Sequence, residues 1–273
     1  MSTITVSDLF IHPLKSTRGI RLPSSEVLAY GLKSDRTLAI INDEDRIITG
    51  REFPQLVRLQ TQPTEDGFDV WWNGKRVGTI ENQPDRVQMK TVAFFSRSRE
   101  AAVIESEFTT WLSNFLGIEC RLVRYERSFK NAVLPRHGGT DFDEVALADQ
   151  CPILLVSQAS LAELNGKLDA PAVGMRNFRP NVVINGSEAG VEDTWKRIRI
   201  GVCTFRVAQP CVRCVFTTID PEAGRKREDR EPLKTLQTYR RDPRGGVKFG
   251  VHLIPEQLGT LRVNDPLEVL ERY

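Results

Sequence analysis

From the amino terminus to about Val92 the chain never sustains a helical period, and this constrains its fold more than any other feature. Short apolar runs such as ITVSDLF, TLAII and GFDVWW are each cut by glycine, proline, asparagine or aspartate, the punctuation of strands and turns. The Asn73-Gly74 pair inside GFDVWWNGKRVGTI is a two-residue hairpin signal, because both positions tolerate the left-handed backbone such a turn needs. Strands this short bury too little alone, so the segment is expected to close into a barrel or sandwich.

The period changes once. Phe108, Trp111, Leu112, Phe115 and Leu116 recur at helical spacing, and Gly117 follows as a C-cap. Residues 120–125 return to strand character. A polar connection over 126–144, containing Gly138-Gly139, is the expected junction between two domains, 1–125 and 126–273. The apolar run Cys151 to Val156 then reads as a buried strand feeding SQASLAELNGKL. There Ser157 or Ser160 is the expected N-cap, with Glu163 completing a capping box on Ser160. A strand-to-helix junction with free N–H groups is a ready anion site. The remainder is β-rich apart from the helix-compatible PLKTLQTYRR, which makes the fold class mainly β, α+β in detail.

Chemistry concentrates in QPCVRCVFTTID, residues 209–220. Cys211 and Cys214 form a C-x-x-C, and Arg213 between them favours thiolate, the form that acts as nucleophile or soft-metal ligand. Structural zinc needs four ligands, and the remaining cysteines and histidines supply no second close pair. A thioredoxin-like site opens a helix, whereas VFTTI is β-branched and aromatic and reads as a strand. Two buried cysteines acting as small apolar residues would be the bland alternative, which the flanking Arg213 and Pro210 disfavour. A second group is spread over distant loops: Lys15 and Ser16, Arg36, Arg51 and Arg179. Each alone reads as a solvated charge, but together they resemble parts of one anion site, arginine as a fork donor and lysine as a point charge. Trp71-Trp72 reads as hairpin packing, and His137 lacks the neighbours of a catalytic triad.

The 38 basic and 36 acidic residues nearly cancel, which gives no whole-chain electrostatic reason for binding nucleic acid. Five cysteines, no signal-peptide pattern and no apolar run of bilayer length point to a soluble cytoplasmic protein without a membrane partner.

The motifs FIHPLKSTRGI, GLKSDR, TGREFPQL, CPILLVSQASLAELN, NFRPNVVINGS, EDTWKRIRIG, CVRCVFTTID and PLKTLQTYR occur in an order that resembles MOSC-domain proteins of the amidoxime-reducing type. The likeness extends to their bacterial counterparts that detoxify N-hydroxylated bases. It implies an N-terminal MOSC-associated β-barrel domain packed on a MOSC β-barrel, with a molybdenum cofactor (molybdopterin) between them. The family's metal-ligating cysteine falls on Cys214, and its phosphate contacts on Lys15, Ser16 and Arg36. Its strand-to-helix loop and F-R-P-N motif place Ser157, Gln158, Ser160, Arg179 and Asn181 near the pterin. From the residues themselves, Arg51 is a further candidate for the anion site and Arg213 a supporting cation beside Cys214. Cys211 receives no role.

The implied activity is reductive removal of oxygen from small N-hydroxylated substrates, the metal alternating between Mo(IV) and Mo(VI). Many bacterial relatives continue into a 2Fe–2S ferredoxin domain. This chain ends at Tyr273, so electrons are expected from a separate flavin or iron–sulfur reductase. Vertebrate members carry a cysteine where this chain has Ser187, so no role for that thiol transfers. Two rival readings remain open: a sulfur carrier holding a persulfide on Cys214 or Cys211, and a molybdopterin-binding module without turnover.

Overall fold

In the computed structural model the described residues are 3–82, 88–95, 97–128, 131–243 and 245–273. The alternating runs form strands as their patterns require, and the architecture is mainly β. The largest sheet has eight strands in the order Ile20–Leu22, Thr5–Ile11, Val182–Asn185, Ile153–Ser157, Val247–Gln257, Cys203–Arg213, Trp195–Ile200 and Leu267–Arg272. Ile153–Ser157 and Val182–Asn185 run parallel, which requires a crossover, and two helices lie between them in sequence. A five-stranded sheet is built from Gln88–Phe94, Arg97–Ile104, Cys120–Arg124, Leu38–Asn42 and Ile47–Ile48. Smaller sheets complete the two halves. Sheet membership does not divide at residue 125, since strand Thr5–Ile11 pairs with Val182–Asn185 and Ser24–Leu28 pairs with Gly259–Arg262. The amino-terminal strands thus fasten the two halves together.

The hairpin at Asn73-Gly74 forms as expected, joining Gly67–Trp72 to Lys75–Glu81 with φ of 49° and 77° at the two turn residues. Trp72 packs edge-on against Phe115, 4.7 Å between centroids, so this tryptophan is packing rather than a stacking platform. The helix Phe108–Leu116 (α1) ends at Gly117, left-handed at φ 69°, and buries Phe108, Leu112 and Leu116. Gly78 is held at φ 158° against Phe108, where a Cβ would lie 2.7 Å from the phenylalanine Cβ. The cores mix aliphatic and aromatic side chains. Val6, Leu9, Ile153, Leu155, Trp195, Phe205 and Leu253 fill one in the large sheet, and Leu14, Ile40, Leu56, Phe108 and Leu122 fill another.

Helix Gln158–Gly166 (α2) follows strand Ile153–Ser157 directly. Its N-cap is Ser157, whose Oγ accepts the Ser160 N–H at 3.0 Å. The capping box expected between Ser160 and Glu163 does not form. Ser160 is instead turned inward, donating 2.8 Å to Oε1 of the buried Glu192 and accepting the Gly190 N–H at 2.9 Å. Ser157→Ala removes the cap, so unfolding should shift by about 1 kcal/mol. In a domain of this size that lowers Tm by roughly 2–4 °C, measurable by calorimetry. Two further helices, Met175–Phe178 (α3) and Leu233–Tyr239 (α4), pack around Val156, Phe178, Leu236 and Phe249.

One local expectation is overturned. Residues after Cys214 do not continue as a strand; Val215–Thr218 is a short 3₁₀ helix. The two threonines account for this: Thr217 Oγ1 donates to the Cys214 carbonyl at 3.0 Å and Thr218 Oγ1 to the Val215 carbonyl at 2.8 Å. Such local side-chain bonds offer the backbone an alternative to the ladder and outweigh β propensity.

Candidate functional site

Strand Cys203–Arg213 lies between Val247–Gln257 and Trp195–Ile200 and carries Pro210, which has no N–H to give to a ladder. It is accommodated because the register against Val247–Gln257 shifts between Val207 and Gln209 and again between Pro210 and Val212. Bulges re-aim side chains, and here the second spans Cys211, two residues before the strand ends at Arg213. Cys211 is buried, while Cys214 is exposed at the start of the 3₁₀ turn. The C-x-x-C is therefore asymmetric.

Both cysteines line a cavity of about 450 Å³ between the two halves of the chain. Six cationic side chains face it, Lys15, Arg36, Arg51, Arg136, Arg179 and Arg213, against one carboxylate, Asp149. Arg51 reaches Cys214 directly: its Nε and Nη2 lie 3.4 Å and 3.3 Å from Sγ, and Nη2 also donates to Asp149 at 2.6 Å. Asp149 pairs in turn with Lys15, whose Nζ also donates to the Leu147 carbonyl at 2.8 Å. Burial alone would raise the Asp149 carboxyl, but Lys15 and Arg51 outweigh it and hold it well below the usual carboxylate range. Burial brings Lys15 down to about 8 against the pull of the same aspartate.

Three anion-site residues hold left-handed backbone although none is glycine: Ser16 at φ 73°, Arg36 at 46° and Arg179 at 56°. Each costs on the order of 1–3 kcal/mol and persists only where the surroundings impose it, which is common at binding sites. Hydrogen bonds impose it here. Arg36 N–H donates to the His12 carbonyl at 3.0 Å, and Arg179 N–H closes α3 on the Met175 carbonyl at 3.0 Å. The side chains then interlock across the sheets. Arg36 Nη1 donates to Asn181 Oδ1 at 3.0 Å and Nη2 to the Arg179 carbonyl at 2.9 Å. Arg179 donates to the Thr17 carbonyl and stacks over Phe216 at 5.3 Å. Burial and the neighbouring Arg36 lower the Arg179 pKa to about 9, a guanidinium short of countercharge.

Arg213, expected to support Cys214, is committed elsewhere. Its Nη1 donates to Cys211 Sγ at 2.9 Å and its Nη2 to the Phe178 carbonyl at 2.6 Å. Burial opposes ionisation of Cys211, yet Arg213 and His252 overcome it and bring the thiol down to about 6. Cys211 should therefore be thiolate at neutral pH, giving ultraviolet thiolate absorbance with a midpoint near pH 6 that Cys211→Ser removes. Because its folded pKa is depressed, this group stabilises the fold above the unfolded thiol pKa of about 8.5. That contribution is lost as pH falls through 6.

The structure brings together Lys15, Ser16, Arg36, Arg51, Arg179, Asn181, Arg213 and Cys214. Ser157, Gln158 and Ser160 do not line the cavity. The two serines are spent on the α2 cap and Glu192, and Gln158 Nε2 points to Asp8 at 3.5 Å. Of the α2 first-turn N–H groups, that of Ser160 is thus bound by the Ser157 cap. Residues that sequence reasoning missed include Asp149, Phe216 and His252, all facing the cavity. The Asp149-Gln150 pair immediately ahead of the buried run 151–156 was the available signal for the first. Ser187 lines neither this cavity nor its neighbour.

The donor set suits a ligand that joins a soft metal to an anionic tail. The accessible Cys214 thiol offers the soft ligand, and the surplus of cations with their imposed backbone offers the anion cradle. Among the described residues no group of three or more His, Cys, Asp or Glu gathers as a metal cluster. Metal held here would depend on Cys214 and on ligands brought with it.

Comparison with known proteins shows the family of the chain. Residues 3–119 match the MOSC N-terminal beta barrel domain and residues 142–268 the MOSC domain. Mitochondrial amidoxime reducing component 2 of Bos taurus is 32% identical over 96% of this chain and 82% of its own length. Mitochondrial amidoxime-reducing component 1 of Danio rerio is 34% identical over 96% and 83%. The crystal structure of the YUAD protein from Bacillus subtilis has a TM-score of 0.49 and 11% identity, covering 97% of this chain and 94% of that one. With both domains present in order and relatives above 30% identity along almost its whole length, the chain belongs to the MOSC family of amidoxime-reducing components.

Proposed function

We propose that the protein is a molybdenum-cofactor-dependent reductase of small N-hydroxylated compounds: N-hydroxylated bases, hydroxylamines and amidoximes. The observation that carries this reading is the exposed Cys214 thiol under the Arg51 guanidinium, at the edge of a cavity with six cations and one carboxylate. Family membership and the names of the relatives support the cofactor and the substrate class.

Each residue has a task set by its chemistry. Cys214 would hold the metal through Sγ, with Arg51 donating to that sulfur and fixed in turn by Asp149. Lys15, Ser16, Arg36 and Arg179 would bind the pterin phosphate, and Asn181 positions Arg36 through its amide oxygen. Phe216, under Arg179, would support that guanidinium at the same end. A bound molybdenum cofactor would supply a two-electron, oxygen-accepting centre. The net reaction consumes two electrons and two protons per N–OH group and releases the amine-type product and water. The electrons come from a separate flavin or iron–sulfur protein, and the proposed compartment is the cytoplasm. Among the described residues no helix is long and apolar enough to cross a membrane.

Protein purified from cofactor-replete cells should reduce an amidoxime with a chemically reduced dye as donor. Wild-type protein carrying stoichiometric molybdenum but reducing no N-hydroxylated compound would leave a binding module. Intact mass showing a labile extra sulfur on Cys214 with no metal would favour a sulfur carrier.

A further inference from the structure

Behind Arg179 and Phe216 lies a second cavity of about 290 Å³ that the proposed reaction does not use. It shares those two side chains with the first cavity, so they form a common wall. Its lining is mostly apolar, with Phe10, Val57, Met175 and Ile219 contributing, yet Arg18, Arg21 and Arg176 also face it. Two of these arginines are neutralised: Arg21 pairs with Asp8 at 2.6 Å and Arg176 with Glu222. Arg18 is not. Among the described residues its half-buried guanidinium has no hydrogen-bonded or ion-paired partner, and after burial it is the main cause lowering the Arg176 pKa. Arg179, on the shared wall, likewise has no carboxylate in ion-pair reach among the described residues. His12 adds no charge, because burial, Arg179 and Arg36 push its pKa well below the ordinary value.

A largely apolar cavity in which the Arg18 guanidinium is uncompensated favours one ligand chemistry. Apolar walls reward a ring or branched chain, whereas the arginines reward a planar or tetrahedral oxyanion that they can grip as forks. The size is near the lower end of small-molecule sites, about 300 Å³. We propose that this second cavity binds a small amphipathic anion, an aromatic or branched aliphatic body carrying one carboxylate or phosphate, with Arg18 as the principal anion contact. The ligand lies against Arg179 and Phe216, the wall this cavity shares with the first.

The chain has three methionines, so the Met175 methyl is a distinct probe in carbon-13 methyl NMR, assigned with Met175→Leu. Wild-type protein and Cys214→Ala would be titrated with benzoate, phenyl phosphate, benzyl alcohol and inorganic phosphate, with affinities from calorimetry. Benzoate or phenyl phosphate should shift the Met175 methyl saturably and equally in both proteins, and whichever binds tighter identifies carboxylate or phosphate as the preferred head. Benzyl alcohol and inorganic phosphate should bind at least about tenfold more weakly, a difference of 1.4 kcal/mol. Arg18→Gln should weaken the anion at least about tenfold and Arg18→Lys less, with melting curves confirming that both are folded; Met175→Phe, which fills the space, should abolish binding. A Met175 methyl that does not move, an affinity untouched by Arg18→Gln, or equal binding of benzyl alcohol would overturn the proposal. Since Cys214→Ala is included, failure of the molybdenum reading would leave this result intact.

Discussion

Arg51→Met should lower N-hydroxy reductase activity by roughly 10²–10³-fold, the range found when a donor aimed at a reacting charge is deleted. Arg51 makes two bonds to Cys214 Sγ and one to Asp149, so methionine of similar length leaves the sulfur without this cationic partner and takes one cation from the carboxylate. Asp149 is partly wet on its cavity side, and the fold itself should lose no more than about 1–2 kcal/mol. Arg51→Lys should recover only a fraction. A point charge cannot fork between sulfur and carboxylate, whereas the guanidinium does. Steady-state kinetics beside a melting curve separates the two effects, and equal activity in Arg51→Met would show that this contact plays no part.

Cys214→Ala should remove activity altogether while leaving the melting temperature within a degree or two. The residue is exposed and its side chain is not part of any core, so truncation leaves no buried cavity. By contrast Cys211→Ala vacates a buried position among Leu154, Val156, Phe249 and Val247 and removes an acceptor from Arg213. It should cost stability more than chemistry. The opposite pattern, with Cys211 essential and Cys214 dispensable, would reverse the assignment of the pair.

The residues alone did not distinguish these two cysteines, since C-x-x-C is symmetric and Arg213 lies between them; only the family resemblance pointed to Cys214. The distinction arises from the register shifts between Val207 and Val212, set by pairing with a strand distant in sequence, and from the local threonine-driven turn after Cys214. The α1 helix, the Asn73-Gly74 hairpin and the strand Ile153–Ser157 running into α2 were legible, because each depends on local period or on turn chemistry. The basic loops at Lys15, Arg36, Arg51 and Arg179 also converge as expected. Ser157, Gln158 and Ser160 do not join them, since an N-cap serine that bonds its own helix has no hydroxyl left for a ligand. Asp149 was invisible for the complementary reason: its significance lies in Lys15 and Arg51, both far away in sequence. Sheet membership was hidden for the same cause, as the pairing of Thr5–Ile11 with Val182–Asn185 is a contact between segments far apart in the chain.

The central claim is that Cys214 holds a molybdenum-pterin group within the cationic cavity. Elemental analysis for molybdenum, with pterin fluorescence after oxidative release, tests it on wild type and Cys214→Ala purified from the same cofactor-replete cells. Wild type should carry close to one molybdenum and one pterin per chain, and Cys214→Ala should lose the metal. Wild type with neither metal nor pterin, or Cys214→Ala with unchanged molybdenum, would contradict it.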